Sequence, residues 1–137
     1  AGGLPALADD SGLEVAALGG APGVWSARWV PGSDADRVAA LLARLAAVPL
    51  AGRGARFRAA LALAWPDGRL LTAEGQVAGR IGLQACGASG FGYDPVFLVE
   101  DGGLDGRRTM AELDPAHKAA LSHRARALAA LLRQLPR

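Results

Sequence analysis

The feature that most constrains the fold of this chain is an alternating segment at residues 55–65. If the segment is extended, its large apolar side chains share one face, and arginines and alanines occupy the other. The apolar positions are Phe57, Ala59, Leu61, Leu63 and Trp65. A Pro-Asp-Gly turn signal follows at 66–68, and a second extended stretch runs from Arg69 toward Ile81. The pattern predicts a β-hairpin.

A helix is predicted upstream of this hairpin. It begins at Asp34 or Asp36, where an acidic residue can cap the first turn, and continues to about Val48, just before Pro49. Its apolar side chains recur at helical spacing. They are Val38, Leu41, Leu42 and Leu45.

A second helix is predicted at the end of the chain. Asp114 is its expected N-cap, Pro115 its first residue, and the helical pattern continues to about Gln134. Its apolar stripe consists of Leu121, Ala125, Leu128, Leu132 and Leu135. A short strand near 95–99 completes the pattern. Strands combined with helices predict an α/β or α+β layered fold, and residues 1–137 read as one domain.

Composition excludes several classes of protein. With 137 residues, 51% of them hydrophobic and 20% charged, the chain can bury a core. No apolar run is long enough for a membrane span and no secretion signal precedes the first strand, so we expect a cytoplasmic protein that does not bind membranes. One cysteine and two histidines make a structural metal site improbable.

Charge argues for a small anionic ligand rather than a nucleic acid. Formal net charge is only +2, and the fifteen cationic residues include a single lysine, Lys118. Arginine suits planar recognition of carboxylate or phosphate groups. No dense basic run is present, so we expect no binding to nucleic acid.

The first candidate site is the segment Asp9-Asp10-Ser11-Gly12, which follows a short apolar run at 4–8. We expect a strand at 4–8 that delivers these polar residues to a loop. One alternative is a loop whose Asp and Ser side chains satisfy backbone amides. The other is a carboxylate that binds magnesium or activates water. Adjacent strand residues point to opposite faces, so at most one aspartate enters a given cleft unless the backbone bends.

A second candidate is the loop from Gly90 to Pro95, which holds two of the seven aromatic residues of the chain. Its glycines would let a flat ligand approach the backbone, and an aromatic ring offers a stacking surface for a nucleobase. The alternative, which the segment by itself favours, is a turn anchored by a phenylalanine in the core.

Lys118, His123 and Arg124 form a third candidate group on the final helix. On an ideal helix Arg124 falls inside the apolar stripe, so its guanidinium needs an acceptor there, such as Asp94, or a ligand. His123 and Lys118 point in other directions. One cleft collects all three only if a ligand spans the helix edge or the helix is distorted.

Three segments together resemble the inosine triphosphate pyrophosphatase family, which hydrolyses non-standard purine nucleoside triphosphates. They are LADDSGLEVAALGGAPGVWSARW at 7–29, SGFGYDPVF at 89–97 and TMAELDPAHKAALSHRARAL at 109–128. The resemblance implies an α/β fold with a twisted mixed sheet and flanking helices. It also implies two lobes with the active site between them, and a homodimer.

The resemblance also implies roles for individual residues. Asp10 matches the metal-associated general base, Asp9 lies beside it without a direct role, and magnesium is the implied cofactor. The implied substrate contacts are Ser11, Phe91, Gly92, Tyr93, Asp94, Lys118, His123 and Arg124. The expected activity is conversion of ITP, dITP or XTP to the monophosphate and pyrophosphate.

One departure from the family pattern is large. Relatives carry a phosphate-binding loop, Thr/Ser-Gly-Asn-x-x-Lys, upstream of the Asp-Asp-Ser-Gly motif, and this sequence has no asparagine and its only lysine at 118. We therefore expect the sequence to begin some tens of residues into the fold, as part of a longer protein. The alternative is a true short form that has lost half of its triphosphate site. The alternative function is a nucleotide-binding module without hydrolytic activity, and a poorer one is a purely structural subunit.

Overall fold

The fold is described from a computed structural model, in which residues 3–88 and 90–135 are described. Its strands are β1 (Ala6–Val15), β2 (Pro22–Gly23), β3 (Gly54–Ala64), β4 (Leu70–Ile81) and β5 (Phe97–Val99), and its helices are α1 (Asp34–Arg44), α2 (Pro115–Leu121) and α3 (His123–Leu132). The strands form one sheet in the order β2-β1-β3-β4-β5. Sheet and helices together confirm the predicted α/β class. Every strand pairing among the described residues is antiparallel, however, where a mixed sheet was expected.

The hairpin of β3 and β4 is confirmed and forms the middle of the sheet. Its register runs without interruption from Gly54 opposite Arg80 to Ala64 opposite Leu70. Phe57, Ala59 and Leu61 share the buried face, as the alternation predicted. Helix α3 packs on this face, so the hairpin provides the floor beneath the final helix.

Strand β1 is longer than predicted, and this corrects the loop expected at residues 9–12. The strand continues to Val15 because Asp9 through Gly12 pair with Leu61 through Arg58 of β3. Gly12 is needed where β2 approaches, since a Cβ atom there would lie 2.0 Å from the carbonyl oxygen of Gly23. Asp9 and Ser11 therefore share the face of the buried Leu13.

Helix α1 begins at Asp34, one of the two predicted positions, behind a capping box formed by Ser33 and Asp36. It ends at Arg44, earlier than predicted. The buried guanidinium of Arg53 donates hydrogen bonds to the carbonyls of Leu45 and Val48 just beyond the helix, and to Gly82. These carbonyls are therefore satisfied outside a helix.

The final helix is broken at Ser122, which corrects the prediction of one helix from Asp114 to Gln134. Ser122 has an extended backbone with ψ 146°, and its hydroxyl accepts a hydrogen bond from Ala125 N at 3.1 Å as the cap of α3. Asp114 caps α2 as predicted. The break resets the helical phase and changes which side chains face the core.

The predicted apolar stripe is therefore wrong beyond Leu121. Ala127 and Leu131 are buried in α3, whereas Leu128 and Leu132 are 43% and 55% exposed. Ala125 is also exposed, and Leu135 is only half-buried. No helix among residues 3–88 and 90–135 is long and apolar enough to cross a membrane.

Candidate functional site

A cavity of about 470 Å³ lies between the buried face of β1 and β3, the loop at 90–94, and the junction of α2 with α3. All eight predicted substrate-binding residues line it. They are Ser11, Phe91, Gly92, Tyr93, Asp94, Lys118, His123 and Arg124. The three separate segments that carried the resemblance thus meet around one space.

The break at Ser122 is what brings the cationic residues together. Lys118 extends from α2, whereas His123 and Arg124 belong to the first turn of α3. On a continuous helix they would point in different directions. The helix is therefore distorted, which was one of the two conditions for a single cleft to collect all three residues. The break lies at Ser122, whose hydroxyl caps α3.

Arg124 is held at the β1 side of the cavity by an acid that the sequence analysis placed only beside the site. Its Nε donates to Asp9 Oδ2 at 3.0 Å, and Ser11 Oγ donates to Asp9 Oδ1 at 2.5 Å. Asp9, rather than the suggested Asp94, is therefore the acceptor. The Arg124 side chain is 52% exposed, not buried in an apolar stripe.

Asp10 is not brought to this cavity. It lies in register with Ala60 and Glu74 across β3 and β4, on the sheet face opposite Asp9 and Ser11. There it lines a second depression together with Thr72 and Glu74. Among residues 3–88 and 90–135 no three His, Cys, Asp or Glu side chains cluster as a metal site. The general-base and metal roles of Asp10 stay predictions.

The loop at 90–94, called the aromatic loop below, presents Phe91 to solvent at the edge of the cavity. Phe91 is 65% exposed. The core phenylalanine of the alternative interpretation is therefore wrong. Tyr93 is the buried anchor instead, and its hydroxyl donates to the carbonyl oxygen of Ser26 at 2.7 Å. Burial raises the pKa of this phenol, which keeps the donor proton in place.

Asp94 and Lys118 fix the base of the loop. Lys118 Nζ lies 2.5 Å from Asp94 Oδ2, which also accepts a hydrogen bond from Phe91 N at 3.1 Å. The same ammonium lies 4.7 Å from the centre of the Phe91 ring. Gly90 has a φ of 83°, and a Cβ atom there would lie 2.3 Å from the Asp94 carboxylate. The loop therefore requires glycine at this position.

His123 forms part of the cavity wall, stacked on Phe57 with ring centres 5.1 Å apart and planes 14° apart. Burial lowers the pKa of its imidazole, and the Arg124 and Lys118 cations lower it further, against Asp9 and Asp94. The ring is therefore neutral at pH 7, with one nitrogen as donor and the other as acceptor.

Several residues line the cavity that were not predicted to do so from the sequence. They include Ser26, Asp34, Arg37 and Phe57. Ser26 lies within the motif at 7–29, so the motif contained a signal for it. Phe57 was identified only as a core residue. Asp34 was identified only as a helix start, and its contact with Gly92 spans 58 positions, which no local pattern reveals.

The cavity combines a stacking surface, an apolar wall and convergent donors. Phe91 supplies an exposed ring, Leu13 and Met110 line the interior, and Arg124 and Lys118 carry donors only. This arrangement suits a flat ligand that carries oxo or anionic oxygen acceptors at its edge.

The chain is similar to known proteins over nearly its whole length. The model of the Ham1 family matches residues 1–134. A dITP/XTP pyrophosphatase of Symbiobacterium thermophilum is 54% identical over 134 residues, which are 98% of this chain and 66% of the relative. One of Rhodospirillum centenum is 52% identical over 96% of this chain and 64% of its own length.

A solved structure shows the same fold. The Staphylococcus aureus Ham1 protein superimposes with a TM-score of 0.83 at 38% identity, over 91% of this chain and 63% of its own. The chain thus spans about two thirds of the length of the relatives that it matches. A family model that covers almost the whole chain confirms the resemblance of the three motifs, and the chain belongs to the Ham1 family.

Proposed function

We propose that the protein hydrolyses non-standard purine nucleoside triphosphates, namely ITP, dITP and XTP, to the monophosphate and pyrophosphate. One observation carries the proposal: the eight residues that the resemblance assigned to the substrate line a single cavity. Relatives at 54% and 52% identity are named dITP/XTP pyrophosphatases, which supports the same activity.

The donors in the cavity support a preference for 6-oxo purines. Hypoxanthine and xanthine carry a 6-oxo acceptor where adenine carries a 6-amino donor. Arg124 offers only donors, and its Nε is occupied by Asp9, so a ligand would bind its terminal amino groups. A base stacked on Phe91 would meet these donors with its 6-oxo group. Adenine would bring donor against donor and leave buried groups unpaired.

Hydrolysis needs a carboxylate and a divalent cation beside the phosphates. Mg²⁺ is usually bound by one or two carboxylates together with substrate phosphates, so the exposed Asp10 carboxylate is a suitable ligand without a larger protein cage. Bound magnesium would neutralise phosphate charge. We assign Asp10 to hold the cation and to accept a proton from the attacking water. Because Asp10 lies on the sheet face opposite the cavity, this assignment requires the triphosphate to extend from the cavity past β1.

The charge of Lys118 belongs to substrate binding in this scheme. Its ammonium lies beside Asp94 and over Phe91, so it supports the stacking surface as well as attracting substrate oxygen. By family resemblance we also propose a cytoplasmic homodimer that binds neither nucleic acid nor membranes.

The test is a product assay with magnesium on ITP and ATP. We expect pyrophosphate rather than phosphate from ITP, with kcat/KM for ITP about a hundredfold or more above that for ATP. Asp10→Asn should abolish turnover and leave the free energy of unfolding unchanged. Glu14→Gln, the control on the same face of β1, should retain turnover. Phosphate as the product, or equal use of ATP, would contradict the proposal. Binding of inosine monophosphate without hydrolysis of ITP would instead indicate a nucleotide-binding module without hydrolytic activity.

A further inference from the structure

The loop that carries Phe91 is tied to the start of α1 by a carboxylate that the proposed chemistry does not use. Asp34 Oδ2 accepts a hydrogen bond from Gly92 N at 2.9 Å, and its Oδ1 accepts one from an Arg37 amino group at 3.1 Å. Arg37 also donates to the carbonyls of Val30 and Gly32, at 3.2 and 2.9 Å. The Asp34 carboxylate thereby connects the aromatic loop to α1, and the hydrogen bonds of Arg37 stabilise the start of that helix.

The loop depends on such contacts because core packing does not hold its tip. Phe91 is exposed, and it stands between two glycines with φ of 83° and 62°. Glycines in such conformations have large backbone freedom to lose. Two carboxylates fix the backbone on either side of the ring: Asp94 accepts from Phe91 N, and Asp34 accepts from Gly92 N.

We propose that Asp34 is a positioning residue for nucleotide binding, which holds the Gly92 amide so that the Phe91 ring is ready to stack on the base. The proposal rests on the proposed function, since it assigns a purine base to the ring. Asp34 lines the cavity, where its carboxylate contacts the loop through Gly92 N. It touches neither Asp10 nor the second depression, so it acts through the loop and not in the chemical step.

The electrostatics of Asp34 agree with this role. The Gly92 amide, followed by Arg37, lowers the pKa of the carboxyl group, so it is charged and accepts both bonds at neutral pH. A charged acceptor makes a stronger hydrogen bond to an amide than a neutral one.

Loss of this contact has a predictable signature. A loop that is competent for only a fraction of the time lowers apparent affinity by that fraction, whereas a bound substrate still reacts at the normal rate. If Asp34→Ala leaves the loop competent for between a tenth and a fifth of the time, KM rises by about 5- to 10-fold and kcat stays within about twofold.

Three variants separate positioning from helix stability. Asp34→Ala removes the acceptor, and Asp34→Asn keeps an oxygen that can accept from Gly92 N. Asp36→Ala is the matched control, because Asp36 also lies in the first turn of α1 but accepts from Ser33. The measurements are the Kd of inosine 5′-monophosphate by calorimetry and the KM and kcat for ITP. We expect weakened binding in Asp34→Ala, recovery in Asp34→Asn, and wild-type Kd in Asp36→Ala.

Amide hydrogen exchange provides a readout without turnover. The Gly92 amide should be protected in the wild type and in Asp34→Asn, and should exchange rapidly in Asp34→Ala. A wild-type Kd in Asp34→Ala, or an equal loss in Asp36→Ala, would overturn the proposal. Failure of the proposed function is distinguishable. A wild type that binds inosine monophosphate but does not hydrolyse ITP would contradict the hydrolytic function and leave the Kd comparison of the Asp34 variants intact. A wild type that does not bind inosine monophosphate would overturn the positioning role even if Gly92 stayed protected.

Discussion

At the scale of single residues, the two cations of the cavity, Arg124 and Lys118, lie in different surroundings. Arg124 lies on the β1 side, paired with Asp9, and Lys118 lies under the aromatic loop, paired with Asp94. Arg124 has terminal amino groups besides the Nε that pairs with Asp9, and the neutral ring of His123 can add one donor more. Base choice should therefore depend on Arg124, and general affinity on Lys118.

We expect Arg124→Ala to lower kcat/KM for ITP by roughly 100-fold, because the donors for the 6-oxo group are gone. The ratio of kcat/KM for ITP to kcat/KM for ATP should therefore fall. Lys118→Ala should weaken both nucleotides alike. Arg126→Ala is the matched control, since Arg126 also forms an ion pair from α3, with Asp101 outside the cavity. The measurement is kcat/KM for both nucleotides. An unchanged ITP to ATP ratio in Arg124→Ala would make that arginine a structural partner of Asp9.

Sequence patterns at this scale identified which side chains matter better than how they pair. Phe91 was a candidate because aromatic residues are few, Lys118 because it is the single lysine, and Arg124 because it fell within the predicted apolar stripe. The family resemblance then implied a substrate role for all three, and all three line the cavity. The pairing of Asp9 with Arg124 spans 115 positions. No local period contains such a contact, so it needs the tertiary structure.

At the scale of elements, the hairpin and α1 were predictable because their signals are local. Alternation fixes the buried face of β3, and the turn residues at 66–68 fix the register. The break between α2 and α3 was not predicted, because Ser122 interrupts a sequence whose apolar residues also fit one long helix. A serine that serves as a cap and a serine on an exposed helical face look the same in sequence.

The packing of α3 on the sheet depends on one glycine in β4. A Cβ atom at Gly75 would lie 2.3 Å from both the carbonyl oxygen of His123 and the amide nitrogen of Ala127. Both are backbone atoms, so the helix must move to make room. The close approach of α3 to the sheet, and with it the position of His123 and Arg124, therefore requires glycine here.

We expect Gly75→Ala to lower the free energy of unfolding by about 1–3 kcal/mol, as overpacking does, and to weaken inosine monophosphate binding. Gly54→Ala is the matched control in β3, where a Cβ atom meets nothing within 4 Å. Chemical denaturation monitored by circular dichroism gives the free energy of unfolding of each variant, and calorimetry gives the Kd of inosine monophosphate. Equal stability of the two variants would show that α3 adjusts to the added methyl group at no cost.

At the scale of the whole molecule, the site and the fold share the same contacts. The main core cluster includes Leu13, Phe57 and Tyr93, and each of these also lines the cavity. His123 stacks on Phe57, which itself packs against Phe97 at 4.4 Å between ring centres. Protonation of the site histidine therefore acts on the stability of the fold.

The sign of this effect follows from the lowered pKa of His123. The unfolded chain takes up a proton near the ordinary value of 6.5, whereas the folded protein resists it until the pH is lower. Because the unfolded state then binds more protons, the stabilising contribution is complete above pH 6.5 and is lost as the pH falls below it. The slope for one proton is at most about 1.4 kcal/mol per pH unit.

We therefore expect the wild type to lose more free energy of unfolding than His123→Gln when the pH is lowered from 8 to 5.5. At pH 8 the variant should be the less stable protein, since it lacks the ring stacked on Phe57. At pH 5.5 the gap should narrow, because the wild type must then keep a neutral ring beside Arg124 and Lys118. Urea unfolding of both proteins across this range measures the difference. All other titratable groups are common to both proteins, so the comparison isolates His123 to first order. Parallel curves would show that His123 binds its proton equally in the folded and unfolded states.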